Sequence, residues 1–217
     1  MRISSAICSV LLIAIVIQLF LYILEKKYNL KLVKFHFFIV SKSVILSTFG
    51  SVIVSMVVHF YKWENYNISQ IVLITILLGG VSVISVSDHK EKIVPNFLIG
   101  YLIVVWLIIV FVSVILDFTE GIELVIQGTG GAAISGIMFL ACYLLSKKQL
   151  GAGDVKLAVT MGMYLGVPLA LSAFLFGSVL CCVHSLIRVA RKKLTWKDSV
   201  PMVPYFMIGL WLILLIA

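Results

Sequence analysis

No stretch of this chain is polar enough to build a soluble domain. Charged residues make up 12% of its 217 positions and apolar residues 62%, and mean hydropathy is +1.19, well beyond the range of a water-soluble globule. Cysteine pairs spaced for a metal are also missing. Cys8, Cys142, Cys181 and Cys182 all lie within apolar runs. None forms the C-x-x-C spacing that zinc binding or dithiol exchange requires, so they read as small buried hydrophobes. His36, His59, His89 and His184 are scattered without ligand spacing, which argues against a metal site. Ser185 beside His184 has no aspartate at triad spacing, which argues against a serine protease. Internal repeats are absent too, so nothing points to an inverted-repeat transporter.

What the chain has is apolar runs of membrane-crossing length, about 17 to 25 residues. Five are read directly, at Ile3 to Leu24, Val44 to Tyr61, Ile68 to Ser87, Pro95 to Leu116 and Ile122 to Leu145. The stretch from Val155 to Ile187 is too long for one crossing, and Gly166-Val167-Pro168 within it reads as a turn between two helices. Met202 to Ala217 supplies a short final span. The expectation is an all-α polytopic membrane protein of about eight transmembrane helices, some of them short.

The basic residues test that count. Of 17 lysines and arginines, all but Arg2 and Lys62 fall on one set of connections in an eight-span arrangement. The positive-inside rule puts that set in the cytoplasm and both termini outside a cytoplasmic (inner) membrane. The net charge of +8 then reflects orientation and anionic lipid headgroups rather than nucleic acid. The first run has one arginine, a long apolar core and no small-residue cleavage site before Glu25, so it reads as an uncleaved helix. Glu25 to Ser43 mixes lysines with "FHFFIV" and is either an amphipathic segment on the inner membrane surface or a plain basic loop. Residues 1–43 thus form an N-terminal helix with its basic segment, and residues 44–217 a membrane-embedded domain.

Two carboxylates interrupt the apolar pattern at the same membrane level. Asp88 ends the third span in "SVSDHKEKIVPNFL", and Asp154 opens the sixth in "LGAGDVKLAV". Two carboxyl groups sharing a site do not both ionise easily, so one keeps a proton while the other is charged. That split supplies a general base and a general acid for hydrolysis, with no metal or covalent nucleophile. Gly151 and Gly153 lack Cβ atoms, which lets the backbone before Asp154 turn sharply and an extended substrate approach closely. Lys156 either holds the charge of Asp154 or meets lipid phosphate. Pro95 suits the first turn of the next helix. Asn96 either hydrogen-bonds across the cleft or caps that helix. His89 adjoins Asp88 and is placed to tune it. Asp117, Glu120 and Glu123, on the other side, read as a solvated helix start rather than a cation site.

The two aspartate stretches together resemble the type IV prepilin peptidases and the related preflagellin peptidases. The similarity lies in an aspartate followed seven positions later by the proline of "IVPN", in the distal G-x-G-D of "GAGD", and in "VPMVPYFMIG", Val200 to Gly209, which is similar to the proline-rich start of the last helix in that family. The resemblance implies an intramembrane aspartyl endopeptidase at the cytoplasmic face, with Asp88 and Asp154 as the catalytic pair and Gly151 and Gly153 shaping the site. Its partners would be prepilins or pseudopilins, cut after a glycine between a short basic leader and a hydrophobic helix.

The chain departs from many bacterial members in one respect. Their cytoplasmic insertion with paired C-x-x-C motifs, associated with zinc and N-methylation, is replaced here by Glu25 to Ser43, which has no cysteine. No zinc, no other cofactor and no methyltransferase activity are therefore expected. Two alternatives use the same aspartates: a transport or cation-binding protein, and a presenilin-like G-x-G-D protease. The first calls for charges deep in several helices. The second calls for a tyrosine before the first aspartate, where this chain has Ser87.

Overall fold

The computed structural model describes residues 13, 16–17, 42–61, 67–146, 150–192 and 200–216. Among these residues there are six helices and no strand: α1 (Lys42–Tyr61), α2 (Ile68–Glu91), α3 (Asn96–Leu116), α4 (Phe118–Leu145), α5 (Ala152–Ala190) and α6 (Val203–Ile216). Four of them, α2 to α5, are long and apolar enough to cross a membrane. The amphipathic reading of Glu25 to Ser43 lies outside the described residues, apart from Lys42 and Ser43, which begin α1. Of the first apolar run only Ile13, Val16 and Ile17 are described; they are helical, and Val16 lies against Gly79 of α2.

Punctuation in the sequence fixes the helix ends. Pro95 is the N-cap of α3, and its carbonyl accepts from the amides of Leu98 and Ile99. Asp117 ends α3 and caps α4, its Oδ1 accepting from Thr119 N (2.9 Å) and Glu120 N (3.2 Å). This satisfies two of the donors a helix start leaves free.

The centre of the bundle is α2, buried from Leu73 to Asp88 without interruption. Around it, α3, α4 and α5 turn large apolar side chains outward, among them Leu107, Phe111, Ile137, Leu140, Leu175 and Val179. That inside-out surface is what a hydrocarbon solvent permits and water does not.

The long helix α5 breaks at Gly166, whose φ of 69° and ψ of −179° are non-helical, a conformation open to glycine because it has no Cβ. Contacts with α4 show that the chain reverses there. Along the first limb Gly136 meets Val159, and Gly166 meets Gln127, so this limb runs antiparallel to α4. Along the second, Phe174 packs on Phe139 with ring centroids 4.8 Å apart, so the chain has climbed back toward the level at which the helix began. Glycines allow the first limb its close approach: a Cβ on Gly131 would strike the Gly162 carbonyl, and one on Gly162 the Gly131 carbonyl.

The final helix is held by small residues and rings. Gly209 lies against the Ala173 carbonyl, and Gly177 against the backbone of Tyr205 and Phe206. Phe139, Phe174 and Phe206 form a mutual edge-to-face cluster with centroids 4.8, 5.4 and 5.5 Å apart, a geometry worth about 0.5–1.5 kcal/mol per pair beyond area. Deeper in the bundle, Trp211 Nε1 donates to Ser51 Oγ (3.2 Å), which pairs with Ser82 Oγ at 2.6 Å.

Candidate active site

The end of α2, the start and second limb of α5, and the starts of α3 and α6 converge at one end of the bundle. The reversal at Gly166 matters here because it returns the second limb of α5 to the level of its own start. Cys181, on that limb, lies within electrostatic reach of both Asp88 and Asp154.

Asp88 sits one turn before the end of α2 and is 5% exposed. Its backbone carbonyl accepts from the Lys92 amide (2.9 Å), and Lys92 takes the left-handed conformation, φ 54° and ψ 37°, closing the helix in the manner of an αL cap. The chain then doubles back through Ile93, whose carbonyl accepts from Ser87 Oγ at 3.1 Å, and enters α3 at the buried Pro95. The Asp88 side chain is tied elsewhere: Oδ2 accepts from the backbone N–H of Val203, the first residue of α6, at 3.0 Å.

Asp154 is half-buried in the first turn of α5, three residues after the N-cap Gly151. Its amide donates to the Gly151 carbonyl (3.0 Å), and its carboxylate reaches back over Gly151 to the backbone there. An acid at this position complements the exposed donors of its own helix start. Asp88 and Asp154 lie at the same end of the bundle, within electrostatic reach of each other. Each also meets a helix N-terminus, Asp154 that of α5 and Asp88 that of α6.

The surrounding residues take specific partners. Gly151 has φ −69° and ψ 135°, and Gly166 is the one glycine with positive φ among the described residues, so backbone freedom is not what the G-x-G pair supplies. Space is. A Cβ on Gly153 would come within 2.8 Å of Val94 Cβ, and one on Gly151 within 3.0 Å of Asp154 Oδ2. Lys156 Nζ donates to Asn96 Oδ1 at 2.9 Å, linking the first turns of α5 and α3 rather than pairing with Asp154. His89 is exposed beside Asp88, and Pro95 is buried. His184 packs edge-on to Tyr205 at 5.7 Å, extending the wall formed by the second limb of α5 and the start of α6.

Three contributors escaped the sequence reading: the Val203 amide, the Val94 side chain and Cys181. The prolines on either side of Met202-Val203 were the available signal for the first. No group of three or more potential metal ligands occurs among the described residues, and Asp117, Glu120 and Glu123 lie at the opposite end, at the start of α4.

The fold and its surface define a polytopic helical membrane protein that brings two aspartates together at one end of the bundle. The sequence profile of the type IV leader peptidase family matches residues 71–186, just over half of the chain, and the protein belongs to that family. It is therefore a membrane-embedded protease. The matched segment includes both aspartates and the G-x-G pair but stops short of α6. No curated protein and no solved structure matches the chain.

Proposed function

We propose that the protein is an aspartyl endopeptidase that removes a short basic leader from prepilin-like substrates at the cytoplasmic face of the membrane, without a methyltransferase activity. The observation that carries this reading is that Asp88 and Asp154, from separate helices, come within electrostatic reach of each other at one end of the bundle. The pair holds one proton. The ionised carboxylate takes a proton from water as the water oxygen bonds to the scissile carbonyl carbon, and the protonated carboxyl donates to the carbonyl oxygen. Collapse of the resulting diol breaks the C–N bond, with the proton passing to the departing nitrogen.

The orientation follows from charge. Lys90, Lys92, Lys156, Arg188, Arg191 and Lys192 lie on helix ends at the aspartate end of the bundle, and Asp117, Glu120 and Glu123 at the other. This supports a cytoplasmic site under the positive-inside rule. With the two limbs of α5 counted separately and the first apolar run included, the reading has eight crossings and both termini outside.

The test is cleavage of a candidate prepilin in membranes carrying wild type, Asp88→Asn or Asp154→Asn at matched abundance. Loss of the cleaved product in both variants is expected. Retention of cutting in both rejects the aspartyl mechanism.

A further inference from the structure

The sequence around the start of α6 narrows its own supply of hydrogen-bond donors. In Val200-Pro201-Met202-Val203-Pro204, neither proline has an N–H. The amides of Tyr205 and Phe206 both turn back to the Met202 carbonyl, at 3.1 and 3.2 Å. What remains of the first-turn donors is the pair Met202 and Val203. The Val203 N–H goes to Asp88 Oδ2 across a sequence separation of 115 residues, and the Met202 amide faces the same carboxylate. Val203 is itself fully buried, and its neighbour Phe206 is locked into the ring cluster with Phe139 and Phe174. The donor is thus fixed before any substrate arrives.

A hydrogen bond from a neutral amide to an ionised carboxylate is stronger than one to a neutral carboxyl group. A buried donor aimed at Asp88 from another helix therefore selects the charged form of that residue; the helix dipoles do not separate the pair, because Asp154 stands at the start of α5 as Asp88 meets that of α6. Resting on the peptidase reading above, we infer that the Val203 backbone amide is a positioning group that holds Asp88 in the role of general base, leaving Asp154 as the proton donor. The last helix then acts on turnover and not on substrate capture.

Proline at position 203 removes this donor and sets its ring Cδ where the N–H meets Asp88 Oδ2, so the carboxylate also loses the place the amide gave it. Val203 is the first helical residue, where proline is well tolerated, and Met202 before it lies outside the helix. Val203→Ala keeps the donor and removes side-chain volume, so it is the control. With a prepilin substrate in proteoliposomes, Val203→Pro is expected to lose about 10- to 100-fold in kcat, the loss of one charge-assisted bond, with KM unchanged. Val203→Ala reports the packing loss alone, and Val203→Pro should lose at least about tenfold more kcat than it does. A Val203→Pro variant that matches Val203→Ala, or that changes KM alone, overturns the inference.

A substrate-free readout separates this from the peptidase reading. Amide hydrogen exchange at Val203 should accelerate at least about tenfold in Asp88→Ala relative to wild type; unchanged exchange overturns the inference even if prepilin is cut. A wild type that cuts no prepilin, with exchange accelerated in Asp88→Ala, removes the prepilin substrate and keeps the bond between Val203 and Asp88.

Discussion

Adding a single methyl group at Gly153 tests whether the close approach of the loop before α3 to the turn bearing Asp154 governs activity. The new Cβ would lie 2.8 Å from Val94 Cβ and 3.3 and 3.6 Å from its two γ-carbons. Carbon atoms pack best at about 3.5–4.0 Å, so one backbone must retreat by about 1 Å. The stability cost of such overpacking is about 1–3 kcal/mol. The larger effect falls on chemistry, because Gly153 directly precedes Asp154, and a displacement of about 1 Å at a reacting group costs about 100-fold in rate. The assay is prepilin cleavage by Gly153→Ala at matched abundance, with thermal unfolding followed in parallel. Val94→Gly removes the opposing Cβ, so the double variant should recover most of the lost activity, whereas Val94→Ala, which keeps that Cβ, should not. Gly100→Ala, where a Cβ meets nothing within 4 Å, should cut like wild type. If Gly153→Ala cleaves within about threefold of wild type, or if Val94→Gly gives no rescue, the steric account of the G-x-G-D motif is wrong.

Two further perturbations read the scaffold. Gly166→Ala has room, its nearest neighbour lying 3.6 Å away, but it must adopt φ 69° with ψ −179°, a region essentially reserved for glycine; a loss of about 1–3 kcal/mol is expected in thermal unfolding, and an unchanged midpoint would mean that the break in α5 does not depend on glycine. Asp117→Ala removes two hydrogen bonds at the start of α4 and should cost about 1 kcal/mol, with cleavage unaffected because the cap lies at the end of the bundle away from Asp88 and Asp154.

The parts of the fold legible in the sequence were those written locally. Pro95 and Asp117 mark helix ends, and the Gly166-Val167-Pro168 break was readable because a helix of that length has no place in one bilayer crossing. The family was legible for a similar reason, since the aspartate with its following proline and the G-x-G-D are each contiguous. Long-range relations were not. Nothing near Asp88 announces that its carboxylate is tied to Val203, 115 residues on. The glycines of "GAGD" are explained by Val94 and by the Asp154 carboxylate rather than by turn geometry, and that distinction needs the neighbouring element in place. Lys156 finds Asn96 because α3 and α5 begin side by side, a juxtaposition no local pattern encodes.

The reversal at Gly166 also sets a dimension. The first limb of α5 runs from Ala152 to Leu165, which at 1.5 Å per residue is about 21 Å, against a hydrocarbon layer about 30 Å thick. Only Ala152 and Lys156 of that limb are exposed, so lipid does not meet its short length. The missing length falls inside the protein instead, where a pocket of about 220 Å³ lies at the turn between Gln70, Gln127, Gly166 and Pro168.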